Sequence, residues 1–130
     1  MPTPKEGNPL WMLRTFYFLP CDLMYQHFMA LRPQLNSDPD AVAERFLSYM
    51  MYWLAGLFVV AEGWRELCIS DAQIDKLLEE HWDSLRLFRN AIFHFQPDDR
   101  KHLQFFDVEK FNWADKLHRA WRAYFAAQDC

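Results

Sequence analysis

Arg89, Asn90 and His94 are the residues of this chain whose types and spacing could do chemistry together; they lie in the stretch LFRNAIFHF at 87–95. A guanidinium offers a planar fork of N–H donors that fits a phosphate, and an imidazole gives or takes a proton near neutral pH. A carboxamide can orient either partner. Together these functions describe phosphodiester cleavage without a metal, with the guanidinium holding developing charge and the imidazole moving the proton.

The element that must position them is a helix expected over 83–96. It should stop at Pro97, which cannot continue the hydrogen-bond ladder. With about 100° of rotation per residue, Leu85, Phe88, Ala91, Ile92 and Phe95 fall on one arc and Arg86, Asn90 and His94 on the other. Asn90 and His94, four residues apart, stack on one face, and Arg89 reaches the same point with its long stem. Phe93 is the one apolar residue on the polar arc and reads as an interface residue.

The remaining elements also read as helices. Residues 10–35 have helical spacing, with Leu23, His27, Phe28 and Leu31 recurring at threes and fours and Pro20 kinking or restarting the helix. Asp38-Pro39 has the form of an N-cap followed by a first-position proline, opening a long helix to about residue 64. Val42, Phe46, Met50, Trp53, Leu57 and Ala61 make that helix apolar around most of its girth, as expected at the centre of a fold. Ser70-Asp71-Ala72-Gln73 resembles a capping box starting a separate helix to about residue 80. A polar loop at 98–101 leads to a last amphipathic helix over 107–125, with Val108, Phe111, Leu117, Trp121 and Tyr124 as its core stripe. No strand pattern, repeat or low-complexity segment is present, so the expected class is all-α, an up-and-down bundle of about five helices.

With 130 residues, 52% hydrophobic and 18% aromatic, the chain suits one well-packed domain. We expect a flexible leader at 1–9 and a single domain at 10–130. The leader has no basic region followed by an apolar run, so it does not read as a secretory signal. The apolar run at 46–61 is shorter than the roughly 20 residues of a membrane span and is bounded by charges, which favours a buried helix. Cys21, Cys68 and Cys130 lack any C-x-x-C spacing and fit reduced thiols in a cytoplasm.

The net charge of −4 gives no overall positive field to draw the protein onto nucleic acid. Any RNA contact must be local. Arg86, Arg100 and Lys101 could join Arg89 in a small positive patch for phosphate or RNA, or they could be ordinary solvated ions at a helix end. His27, His81, His102 and His118 show no metal-ligand spacing, so no metal is assigned, and no motif implies a cofactor.

The run Arg89-Asn90-Ala91-Ile92-Phe93-His94 resembles the R-N-x-x-x-H signature of the HEPN superfamily (higher eukaryote and prokaryote nucleotide-binding). From about Phe46 onward, YWLAGLFVVAEGWREL and LFRNAIFHFQ resemble a group of small uncharacterised bacterial proteins of this fold, some carried on mobile gene cassettes. The resemblance implies a helical bundle that dimerises so that two motifs face one cleft, and a metal-independent endoribonuclease of toxin or defence type. It implies Arg89 and His94 as the catalytic pair, supported by Asn90 and by an acid from an earlier helix. Glu62 is the best placed such acid, with Glu44 and Glu66 as alternatives. An antitoxin protein would be a further partner, and no membrane is expected. Two other classes stay open: a non-catalytic module binding a nucleotide, RNA or protein, and a dimeric structural protein.

Overall fold

The computed structural model describes residues 8–128, and among them every regular element is helical. The chain is an all-α helical bundle. Most of the expected leader, and Cys130, lie outside the described residues. Asn8 and Pro9 do not belong to a leader: the Asn8 side chain accepts the Trp11 amide at 3.2 Å and Pro9 takes the first position of α1 (Pro9–Met12).

α1 runs through a π-helical turn at Leu13–Phe18 into α2 (Leu19–Leu31). Pro20 explains the widening. It has no N–H, and its ring crowds the carbonyl four residues back, so the helix opens before it and the Leu19 amide reaches back to the Arg14 carbonyl. The helix ends at Leu31, not at 35, because Pro33 cannot donate to the ladder; a single turn, α3 (Gln34–Ser37), follows. The buried face of α2 is Cys21, Asp22, Tyr25 and Phe28. Leu23 and His27, expected on it, are exposed, and His27 stacks on Tyr49 at 5.0 Å.

α4 (Pro39–Glu66) starts as its sequence says, with the Asp38 carboxylate accepting the Ala41 amide and Pro39 at the first position. By length and composition alone this helix could cross a membrane. In the fold it packs against α2 and α5, with Trp53, Leu57, Val60 and Ala61 fully buried. Its end is a Schellman turn: the Ile69 amide donates to the Trp64 carbonyl at 3.2 Å and the Cys68 amide to the Arg65 carbonyl at 3.1 Å. Cys68 takes the left-handed position that this turn needs, with φ 54°.

The two helices expected at 70–80 and 83–96 are one, α5 (Ala72–Phe93). No breaker stands between Glu80 and Asp83, and both residues there have packing partners. His81 stacks on Trp113 at 4.0 Å, and Trp82 meets Phe58 edge-on at 5.0 Å. The capping residue is Asp71 in place of Ser70: its carboxylate accepts the Gln73 and Ile74 amides at 3.1 Å, and Asp75 returns the bond by accepting the Asp71 amide at 3.2 Å. Asp75 also accepts from Ser70 and from the Trp64 indole, so one carboxylate ties the start of α5 to α4. The Ser70 and Trp64 bonds hold that carboxyl below its ordinary range.

Two 3-10 turns, Asp99–Lys101 and Leu103–Phe106, lead to α6 (Val108–Ala127), capped by Asp107. Leu117 and Trp121 of the expected stripe are buried, whereas Val108, in the first turn, is 72% exposed. His118 takes a core position that the apolar pattern did not indicate.

Candidate functional site

α4 and α5 run side by side, and the side chain of Arg89 spans the seam between them. Its guanidinium carbon lies 4.7 Å from the ring centroid of Phe58, a buried residue of α4. Glu62, one turn further along α4, places a carboxylate oxygen 3.5 Å from Nη1. From its own helix, Asn90 accepts from Nε at 3.3 Å and from Nη2 at 3.0 Å through Oδ1. Arginine has only donors, so the carboxamide oxygen must face it and the Asn90 NH2 group is left to donate elsewhere. A ring face, a carboxylate and a carboxamide thus hold the fork, and its side chain remains 31% exposed.

The structure brings Glu62, Asn90 and Arg89 together. Glu44 and Glu66 make no ion pair with Arg89 among the described residues. His94 stands differently from the expectation: α5 stops at Phe93 and His94 is its C-cap, with extended backbone at φ −131° and ψ 127°. Its amide still donates to the Asn90 carbonyl at 3.1 Å, but its imidazole leaves the helical path, and the side-by-side stacking with Asn90 read from the wheel does not hold. The imidazole is exposed, and no hydrogen bond joins it to Arg89 among the described residues. Catalytic cooperation of the two would be through a substrate lying across both.

The flanking cations are less concentrated than a patch. Arg100 folds back on Asp98 with bonds of 3.1 and 3.0 Å, and Arg86 faces Asp83 at 3.9 Å. Lys101 is exposed. None of the three bonds Arg89 or His94 among the described residues. Phe93 is 56% exposed and meets the exposed Tyr52 of α4 edge-on at 6.0 Å, so an aromatic pair borders the Arg89 seam. Phe95 is almost wholly exposed.

No family model, curated protein or solved structure matches this chain. The site is therefore read from its own geometry.

A second polar array lies in the core. His118 is fully buried, its Nδ1 accepts the Trp53 indole N–H at 3.0 Å, and its Nε2 donates to Asp22 at 2.7 Å. An indole N–H can only donate, so Nδ1 carries no proton and the ring is neutral. Burial pushes the imidazole down to about 4, against the opposing pull of Asp22. Burial would raise Asp22, but bonds from Arg122, His118 and Gln26 outweigh it and hold the carboxyl below its usual range. The Tyr25 ring covers the imidazole at 4.3 Å, and the guanidinium carbon of Arg122 lies 5.2 Å from the Tyr25 ring centroid. This array ties α2, α4 and α6 together; with its imidazole sealed from solvent it is built to hold helices, not to meet a substrate. Trp53 and Phe58 are legible in the sequence as apolar residues of α4; the bonds of His118 to Trp53 and Asp22 and the contact of Phe58 with Arg89 are not. Among the described residues no three His, Cys, Asp or Glu side chains converge to hold a metal ion.

Proposed function

We propose that this chain is a metal-independent endoribonuclease of the HEPN type, acting as a toxin or in defence. The observation that carries the reading is the partly exposed fork of Arg89, its side chain 31% exposed and held by Phe58, Glu62 and Asn90, with an exposed histidine five residues on at His94. In the proposed reaction the ribose 2′-oxygen attacks the adjacent phosphorus and the bond to the 5′-oxygen breaks. The 2′-hydroxyl proton leaves to a base and the 5′-oxygen receives one, giving a 2′,3′-cyclic phosphate and a 5′-hydroxyl end. His94 would carry one of these transfers, and Arg89 would bear the charge on the five-coordinate phosphorus. A homodimer in the cytoplasm, closed along the Tyr52–Phe93 edge and restrained by an antitoxin protein, fits this reading.

One observation favours a second reading, a non-catalytic module for a nucleotide, RNA or protein. Glu62 already faces Arg89, and among the described residues no hydrogen bond or ion pair joins the His94 imidazole to Arg89, Asn90 or Glu62. Expression in a bacterial host separates the two. A ribonuclease slows growth, and Arg89→Ala or His94→Ala restores it; equal growth with all three chains favours the binding module.

A further inference from the structure

We propose that a groove beside the N-terminal half of α4 binds a small monocarboxylate with an apolar body, such as a medium-chain fatty acid. The cavity measures about 410 Å³ and its walls are apolar, with Leu35 of α3, Phe46, Leu47 and Met50 of α4, and Phe105 and Phe111 beside them. That volume falls in the range of small-molecule clefts, which combine greasy walls with a few polar groups that fix orientation.

Three polar residues line it: Arg32, Asp107 and Asn112. The Arg32 guanidinium lies 5.7 Å over the ring of Phe111 and has no carboxylate partner among the described residues. Asp107 is occupied as the cap of α6, accepting the Glu109 and Lys110 amides at 3.0 and 3.2 Å. Asp107 keeps its negative charge but has donors of its own, whereas Arg32 is the one cation lining the groove, and its fork matches a carboxylate in two parallel bonds. A singly charged head balances it. A doubly charged phosphate would set its second charge against the Asp107 carboxylate, with no second cation lining the groove to meet it. Phe106 and Val108, 65% and 72% exposed, continue the apolar surface for the rest of the chain of such a molecule.

The groove shares no residue with the Arg89 seam, so this proposal and the ribonuclease reading stand or fall separately. Calorimetric titration of the full chain with decanoate, below its micelle concentration, tests it beside decanol and decyltrimethylammonium. The expected result is saturable one-to-one binding of decanoate, weakened about tenfold or more by Arg32→Gln and abolished by Ala43→Glu, which sets a like charge on the exposed edge of the groove. Both substitutions are at exposed positions, so folding is retained and is checked by circular dichroism. Absence of saturable decanoate binding, equal binding of decanol or of the cationic detergent, or unchanged affinity in Arg32→Gln would each overturn it. So would a dimer in sedimentation that Ala43→Glu dissociates, because a second copy would then be the occupant.

Discussion

The indole of Trp53 donates to Nδ1 of His118 at 3.0 Å although 65 residues separate them in the chain. That bond fixes the imidazole as neutral and sends its remaining proton to Asp22, so the packing of three helices depends on one protonation state.

Acid should therefore loosen the fold. The folded-state value for His118 is lowered to about 4 from 6.5, so between those values the unfolded chain binds the extra proton and stability falls as pH falls. The full effect is about 3 kcal/mol, present above pH 6.5 and lost on approach to pH 4. Urea unfolding at pH 7, 6, 5 and 4.5 measures it, with His118→Gln as the reference; an identical pH slope in that variant would contradict the assignment.

Trp53→Phe removes the donor but keeps an aromatic ring in a fully buried place. The unmet Nδ1 should cost about 1–3 kcal/mol at pH 7, and the imidazole, free to accept a proton there, should titrate at higher pH than in the parent. Denaturant melts and the proton spectrum of His118 give the two readouts.

Cys68→Gly should stabilise the chain by about 1 kcal/mol. The residue sits at φ 54° in the Schellman turn between α4 and α5, where a side chain crowds the backbone and glycine does not. A lowered melting temperature would show that the thiol has a packing role there.

Much of this architecture is legible in the sequence where the signal is local. Asp38-Pro39 and the apolar girth of α4 name their own roles, because caps and periodicity act over a few residues. α5 ends three residues before the expected position 96, since Pro97 forbids helix at its own position but does not require helix up to it. The same gap hid the extended backbone of His94. Asp22, Trp53 and His118 could not be paired from sequence, because nothing local to any of them encodes a partner 65 or 96 residues away. Phe58 under Arg89 is of the same kind: its place follows only from the register of α4 against α5.

Phe58→Leu should expose that register in function. The volume change in the core should cost about 1–2 kcal/mol, while loss of the ring face frees the guanidinium to turn. If the chain is the proposed ribonuclease, its turnover, kcat more than KM, should fall by about tenfold with the fold intact. Loss of activity only in proportion to unfolded protein would assign Phe58 to the core alone.

The central claim is that Arg89 and His94 cleave RNA without a metal. Its most direct test is incubation of the purified chain with a labelled single-stranded RNA in excess EDTA, followed by analysis of the ends. The account predicts 2′,3′-cyclic phosphate and 5′-hydroxyl ends, formed at a rate that Arg89→Ala and His94→Ala each lower by about a hundredfold or more. Intact RNA with the parent chain, or equal cleavage by all three proteins, would contradict it.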